Sequence, residues 1–94
     1  MTAMSTLPKR TELGDKKMEP LELAQRCERK ATGADIHDVR SLTPTWMWAN
    51  SKNDSARIAV YGDILRGYLS GRYQTIREGR LANREALIGF GYKL

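Results

Sequence analysis

The amino-acid sequence predicts a small, mostly α-helical protein of three to four helices, with a flexible N-terminal tail and an extended C-terminal end. Three observations support this class. Residues 20–31 have the end charges of a helix, an apolar arc recurs at helical spacing after Asp54, and Thr75 and Glu78 have capping-box spacing. With 94 residues the chain has room for one domain. We therefore divide it into a tail, residues 1–19, and a single small helical domain, residues 20–94.

The first helix is predicted over residues 20–31. Pro20 suits a first helical position, and Gly33 fits as the residue that stops the helix. Arg29 and Lys30 would lie near the negative end of the helix dipole. Four small or apolar residues share one side at helical spacing and are expected to face the core: Leu21, Ala24, Cys27 and Ala31.

The middle of the chain contains a second short helical face. Ile36, Val39 and Leu42 recur at helical spacing, and Asp35 is placed to open the helix. Pro44 is expected to end it, because the residue before a proline disfavours helical backbone.

Two tryptophans follow this proline. Trp46 and Trp48 belong either to a short helix that starts at Pro44 or to a strand that places both rings on one face. The chain has only seven aromatic residues, so both tryptophans are expected to pack in the small core. Residues 50–55 are polar and are interpreted as a turn.

A longer helix is predicted to begin at Asp54 or Ser55, either of which suits an N-cap. At about 100° per residue, the apolar side chains that follow fall within an arc of roughly 140°. They are Ile58, Tyr61, Ile64, Leu65, Tyr68 and Leu69. This clustering indicates one amphipathic helix.

Three glycines oppose that helix. Gly62, Gly67 and Gly71 each cost about 1 kcal/mol relative to alanine in a helix interior. The alternative is an α+β protein with a short meander over residues 57–77, turning at Gly62 and Gly71. The helix is favoured because neither face of the meander would be consistently apolar. In a helix the glycines either kink or end it, or they leave a bare side for a second helix, including one from a homodimer partner.

A further helix is predicted from Thr75 to about Leu87, with Glu78 completing the capping pair. Residues 86–94 then alternate with a period of two, which predicts an extended tail or a single strand.

The formal net charge is +5, and residues 55–94 hold seven basic groups against three acidic ones. Six of the seven are arginines, whose planar fork matches phosphate and carboxylate groups. On a helix from Thr75, three of them share one side at i, i+3 and i+7. Arg66 and Tyr73 join this side if the two helices are nearly continuous. The candidate binding residues are therefore Arg66, Tyr73, Arg77, Arg80 and Arg84.

The other sides of this helix also follow from the spacing. Ile76 and Leu87 flank the arginines on one edge, and Leu81 and Ile88 flank them on the other. A side of small residues is expected to pack on the preceding helix: Gly79, Ala82 and Ala86. The arginines would then project outward from an apolar rim.

Catalytic residues, metal ligands and cofactors are not expected. Cys27 is the one cysteine, which excludes an intramolecular disulfide and favours a reducing compartment. His37 is the one histidine and lacks further ligands at motif spacing for zinc. A nuclease or toxin that uses His37 is the least favoured interpretation. No phosphate-binding loop or dinucleotide fingerprint is present in the sequence.

The leading hypothesis is a non-enzymatic binding protein whose arginine-rich helical surface engages a nucleic acid, through phosphates and through stacking on Tyr61, Tyr68 and Tyr73. The alternative is an inhibitor or adaptor that binds an acidic protein surface, for example in a nucleic-acid-handling complex. In size, basicity and lack of motifs the chain resembles small phage- or plasmid-encoded accessory proteins, including inhibitors of host machinery. No stretch approaches the ~18 apolar residues of a membrane span, so a cytoplasmic protein without a membrane partner is expected.

Overall fold

The computed structural model describes residues 20–93, which form five α-helices. These are α1 (Pro20–Lys30), α2 (Ala34–Ser51), α3 (Ser55–Ser70), α4 (Ile76–Ala82) and α5 (Arg84–Gly89). No strand occurs among the described residues, so the mostly α-helical class is confirmed and the α+β meander is wrong. The predicted tail, residues 1–19, lies outside the described part of the chain.

Helix α1 begins and ends close to the predicted positions, but one member of its buried side differs. Ala24, Cys27 and Ala31 are buried as predicted, whereas Leu21 is 55% exposed. Leu23 is fully buried instead. Two residues separated by two positions lie about 200° apart on a helix, so α1 buries only one of these two leucines.

Helix α2 continues through Pro44, and the predicted break at this residue is wrong. Pro44 is exposed, so its ring displaces no core side chain. The helix buries Leu42 before the proline and Trp46 after it. Burial of these two large side chains on one continuous face outweighs the loss of one backbone hydrogen bond, although an interior proline costs about 3 kcal/mol.

The two tryptophans lie on different sides of α2. Trp46 is 1% exposed and donates an indole hydrogen bond to the Pro20 carbonyl at 3.3 Å. Trp48 is 49% exposed, so its predicted place in the core is wrong. The cause is the continuous helix, which rotates Trp48 by about 200° from Trp46.

Helix α3 confirms the predicted amphipathic helix. Asp54 is its N-cap, and the Asp54 carboxylate accepts a hydrogen bond from the Arg57 amide at 3.2 Å. Gly71 ends the helix in the left-handed region, with φ 89°. The buried side chains belong to the predicted arc: Tyr61, Ile64, Leu65 and Tyr68. Gly62 and Gly67 lie inside the helix rather than in turns.

The helix predicted from Thr75 to about Leu87 is divided at Asn83 into α4 and α5, and α5 continues to Gly89, where an extended end was predicted. Helix α5 covers residues 84–89 and buries Leu87 completely. The Leu87 amide bonds to the Asn83 carbonyl at 3.0 Å, which keeps this segment helical. Gly91, with φ 90°, then turns the chain, and the Tyr92 amide returns to the Leu87 carbonyl at 2.9 Å. Burial of Leu87 therefore favours the helix over the extended backbone that the alternating pattern predicted.

Helix α3 lies at the centre and packs against α1, α2 and α4. The core side chains come from every described helix, with Ile76 from α4 and Leu87 from α5. The short helices α4 and α5 therefore each contribute one large side chain that is fully buried, and most of their surface remains exposed.

Candidate binding surface

The start of α4 is fixed by three hydrogen bonds. The Glu78 amide donates to the Thr75 hydroxyl at 2.9 Å, as the capping pair predicts. The Glu78 carboxylate accepts from the Gln74 amide at 2.7 Å. Asp35, at the beginning of α2, accepts from the Ile76 amide at 3.2 Å. These bonds position the first turn of α4 against the core.

The predicted packing of the small side of α4 is confirmed at Gly79. This glycine is buried, and a Cβ atom there would lie 3.0 Å from a methyl carbon of Ile64 in α3. Ala82, the next member of that side, is exposed. The close approach of α3 and α4 therefore occurs at one point, in the middle of α4.

Tyr73, a predicted binding residue, forms a hydrogen bond within the protein. It is half-buried, and its hydroxyl donates a hydrogen bond to the Asp63 carboxylate at 2.7 Å. Arg72 donates to the same carboxylate at 2.7 Å, and the Asn83 amide donates at 3.0 Å. This network joins α3, the α3–α4 connection and the residue between α4 and α5, so Tyr73 has a structural role.

Arg66 lies apart from the other predicted arginines. Its guanidinium lies over the Trp46 ring, 5.9 Å from the centroid, which places it beside α2. Arg66 thus packs on α2, whereas Arg77 belongs to α4 and Arg84 to α5.

The three arginines after Thr75 divide into two kinds. Arg77 and Arg84 are exposed. The Arg80 side chain is only 21% exposed, with one guanidinium nitrogen 3.5 Å from the Asp38 carboxylate. Its other terminal nitrogen donates to the Tyr92 hydroxyl at 3.3 Å. Arg80 is thus held against α2 and the C-terminal segment, between two arginines that extend into solvent.

Two large apolar side chains lie exposed beside these arginines. Leu81 is 55% exposed and Ile88 is 52% exposed. Leu81 lines two clefts, one with Arg77, and another that runs to Arg84 and Ile88. The four side chains therefore belong to one continuous area, which we call the α4–α5 surface: Arg77, Leu81, Arg84 and Ile88.

The tyrosines proposed to stack on bases are not available for that role. Tyr61 is 2% exposed and packs edge-on against Phe90, with ring centroids 6.1 Å apart. Tyr68 is 3% exposed, and its hydroxyl donates to the Asp35 carboxylate at 3.2 Å. Burial, together with the negative Asp35 carboxylate, raises the pKa of Tyr68 to about 12.

An aromatic cluster that the sequence pattern did not indicate lies at the C-terminal end of α2, where the exposed Trp48 and the partly buried Phe90 meet Arg57. The Arg57 guanidinium lies 5.8 Å from the Trp48 ring centroid and 4.7 Å from that of Phe90. Arg57 also forms an ion pair with Asp54 at 2.6 Å. A helix drawn through Pro44 would have indicated the exposure of Trp48, because that helix places Trp46 and Trp48 on opposite sides.

The residues considered for catalysis do not form a constellation. His37 is exposed, and Cys27 is buried with its thiol donating to the Leu65 carbonyl at 3.3 Å. Within residues 20–93 there is no group of three or more histidine, cysteine or acidic side chains placed to hold a metal ion. None of the helices described is long and apolar enough to cross a membrane.

Comparison with protein-family models, with curated proteins and with solved structures finds no match to this chain. Its function is therefore inferred from the residues and geometry of its own surface.

Proposed function

We propose that this protein is a non-enzymatic binding protein that attaches to an acidic surface of a partner protein through the α4–α5 surface. The observation that supports this proposal is the exposure of Leu81 and Ile88 on the same surface as Arg77 and Arg84.

Exposed apolar side chains of this size gain free energy when a partner covers them. Full burial of a leucine or isoleucine contributes about 1.5–3 kcal/mol. Arg77 shares one cleft with Leu81, and Arg84 shares the other with Leu81, Ile88 and the exposed Glu85. Neither arginine has a hydrogen bond or ion pair within residues 20–93. Exposed apolar side chains next to arginines are typical of a protein interface, and two arginines against one carboxylate leave a net positive charge that favours an acidic partner.

A protein partner fits this surface better than a nucleic acid does. Binding of single strands depends on exposed aromatic rings. Tyr61 and Tyr68 are buried, Tyr73 is bonded to Asp63, and the exposed Trp48 lies against Arg57 rather than on the α4–α5 surface. Phosphate contacts require only the cations and would leave Leu81 and Ile88 exposed to solvent in the complex. The arginines are compatible with either partner, but the apolar side chains favour a protein.

The experiment compares the full chain with charged substitutions on and off the surface. Tagged protein is expressed in its native host, cross-linked and recovered, and each recovered partner is then purified and titrated directly by calorimetry. The test variant is Leu81→Asp with Ile88→Asp. Leu21→Asp is the matched control, because Leu21 is equally exposed but lies on α1. We expect a one-to-one protein complex that the test variant loses and the control retains.

A second pair of variants tests the charges. Arg77→Glu with Arg84→Glu should abolish binding, whereas Arg29→Glu, at an exposed arginine on α1, should weaken it by less than about fivefold. Nuclease treatment should leave recovery unchanged. The proposal is wrong if nuclease removes the partner, if the α1 variants lose as much binding as the surface variants, or if ultracentrifugation shows that the surface pairs two copies of this chain.

A further inference from the structure

We propose that the cleft beside α4 binds one phosphomonoester dianion, presented by a phosphorylated side chain of the partner protein. The cleft is lined by Arg77, Arg80, Leu81 and Lys93. It adjoins the α4–α5 surface at Leu81, so this inference rests on the proposed function and names the group that the partner contributes. Lys93 was not among the predicted binding residues, and nothing in its sequence surroundings indicated this place.

The charge of the cleft matches a dianion. Arg77, Arg80 and Lys93 provide three positive charges, and Asp38, which pairs with Arg80, offsets one of them. A phosphomonoester carries about −1.5 to −2 charges at neutral pH, whereas a carboxylate or a backbone phosphodiester carries one. A net of two positive charges therefore favours the monoester over both single-charged groups.

Arg80 is held in position with donors to spare. Its contacts to the Tyr92 hydroxyl at 3.3 Å and to Asp38 at 3.5 Å are longer than strong charge-assisted bonds, which are about 2.7–2.9 Å. Its Nε atom is buried and has no hydrogen-bond partner among the described residues. A largely buried cation that is only weakly paired gains from a nearby anion. Arg80 thus provides a fixed charge, and exposed Arg77 and Lys93 can close on the ligand.

The size of the cleft suits one oxyanion. Its volume is about 90 Å³, enough for several water molecules and hence for a tetrahedral phosphoryl group. Leu81 supplies an apolar wall for the carbon that bears the ester oxygen. A base or sugar would have to remain outside.

The test is a titration of the full chain in which binding is monitored by the NMR signals of the arginine Nε–H groups and the lysine ammonium groups. Three probes are used: a short peptide that contains phosphoserine, the same peptide with glutamate at that position, and dimethyl phosphate. We expect saturable shifts at Arg77, Arg80 and Lys93 with the phosphopeptide. The glutamate peptide and the diester should bind at least about tenfold more weakly.

The variants use exposed residues, so the fold is retained. Arg77→Gln with Lys93→Gln should weaken phosphopeptide binding at least about tenfold. The control, Arg29→Gln with Lys52→Gln, removes two exposed cations outside the cleft and should change binding by less than about twofold. Equal binding of the three probes, shifts that do not saturate, or equal loss in the two variants would overturn the inference. A 5′-phosphorylated oligonucleotide that binds more tightly than the phosphopeptide would also overturn it.

The two proposals fail in different ways. If Leu81→Asp with Ile88→Asp loses the protein partner while phosphoserine selectivity is absent, the docking surface stands and the phosphate site is wrong. If phosphoserine binds selectively but the α4–α5 variants retain the partner, the phosphate site stands and the docking surface is wrong.

Discussion

The Tyr73 hydroxyl donates a 2.7 Å hydrogen bond to Asp63, and the Tyr73 ring packs against the bare Cα atoms of Gly67 and Gly79. This contact joins the connection after α3 to both α3 and α4. Asn83 donates to the same carboxylate at 3.0 Å, which adds the junction with α5. Asp63 therefore adds to the bonds of Asp35 and to the buried Ile76 and Leu87 in holding the α4–α5 surface against the rest of the fold.

Asp63→Asn should lower the free energy of unfolding by about 1–3 kcal/mol, because a partly buried acceptor of three hydrogen bonds loses its charge. Urea denaturation with an unchanged slope would measure the loss. Glu22→Gln is the control, since its ion pair with Arg26 at 3.0 Å is exposed and should contribute less than about 0.5 kcal/mol. Equal effects of the two substitutions would show that Asp63 is not a structural centre.

The stabilisation by Asp63 should depend on pH in the acid range. Burial acts to raise the pKa of Asp63, but hydrogen bonds from Asn83, Tyr73 and Arg72 outweigh it and hold the pKa below its usual value. The unfolded chain, with an aspartate pKa of about 3.9, therefore takes up the proton first as the pH falls. The contribution is fully present above about pH 4 and is lost as the pH drops through the lower folded value.

The measurement compares wild type with Asp63→Asn from pH 7 down to pH 3. The difference in unfolding free energy should stay constant at neutral pH and shrink below about pH 4, since the wild-type carboxyl then also becomes neutral. A difference that persists unchanged at pH 3, or that grows there, would contradict the assignment.

Much of the fold could be predicted because each helix that was predicted correctly has one strong sequence pattern, such as an apolar arc or a capping pair. The apolar arc of α3 outweighs its interior glycines, and the structure explains why they are tolerated: Gly67 makes room for Tyr73, and a Cβ at Gly62 would lie 3.1 Å from the Trp46 ring. Helix spacing alone gives angles around an axis. It does not give which residues from other parts of the chain face each side of the helix.

The candidate site illustrates that limit. Leu81 and Ile88, which spacing put at one edge of the predicted arginine side, are both exposed. Ile76 and Leu87, which it put at the other edge, are fully buried in the core. Spacing could not show that Arg80 meets Asp38 and Tyr92, because those residues come from distant parts of the chain. The error at Pro44 has the same origin, since the burial that maintains α2 across the proline is a tertiary effect.

Gly67→Ala and Gly89→Ala should change stability in opposite directions. A Cβ at position 67 would lie only 2.5 Å from a Tyr73 ring carbon, so we expect a loss of about 1–3 kcal/mol despite the better helix propensity of alanine. Gly89 is helical and has no atom within 4 Å of such a Cβ, so alanine should add up to about 1 kcal/mol there. Urea denaturation of both variants checks the signs, and a gain at position 67 would show that Tyr73 does not pack as described.

Cys27 should be unreactive in the folded protein. It is fully buried, its thiol donates to the Leu65 carbonyl at 3.3 Å, and burial raises its pKa to about 11 against the opposing effect of the Lys30 charge. Only the thiolate reacts with disulfide reagents, so at pH 8 the folded chain lacks both access and the reactive form. The rate of reaction with an aromatic disulfide should therefore rise in parallel with the unfolded fraction across a urea transition.

Chain unfolded beforehand, as the control, should react at once and completely. Rapid stoichiometric reaction without urea would mean that α1 separates from α3 under native conditions.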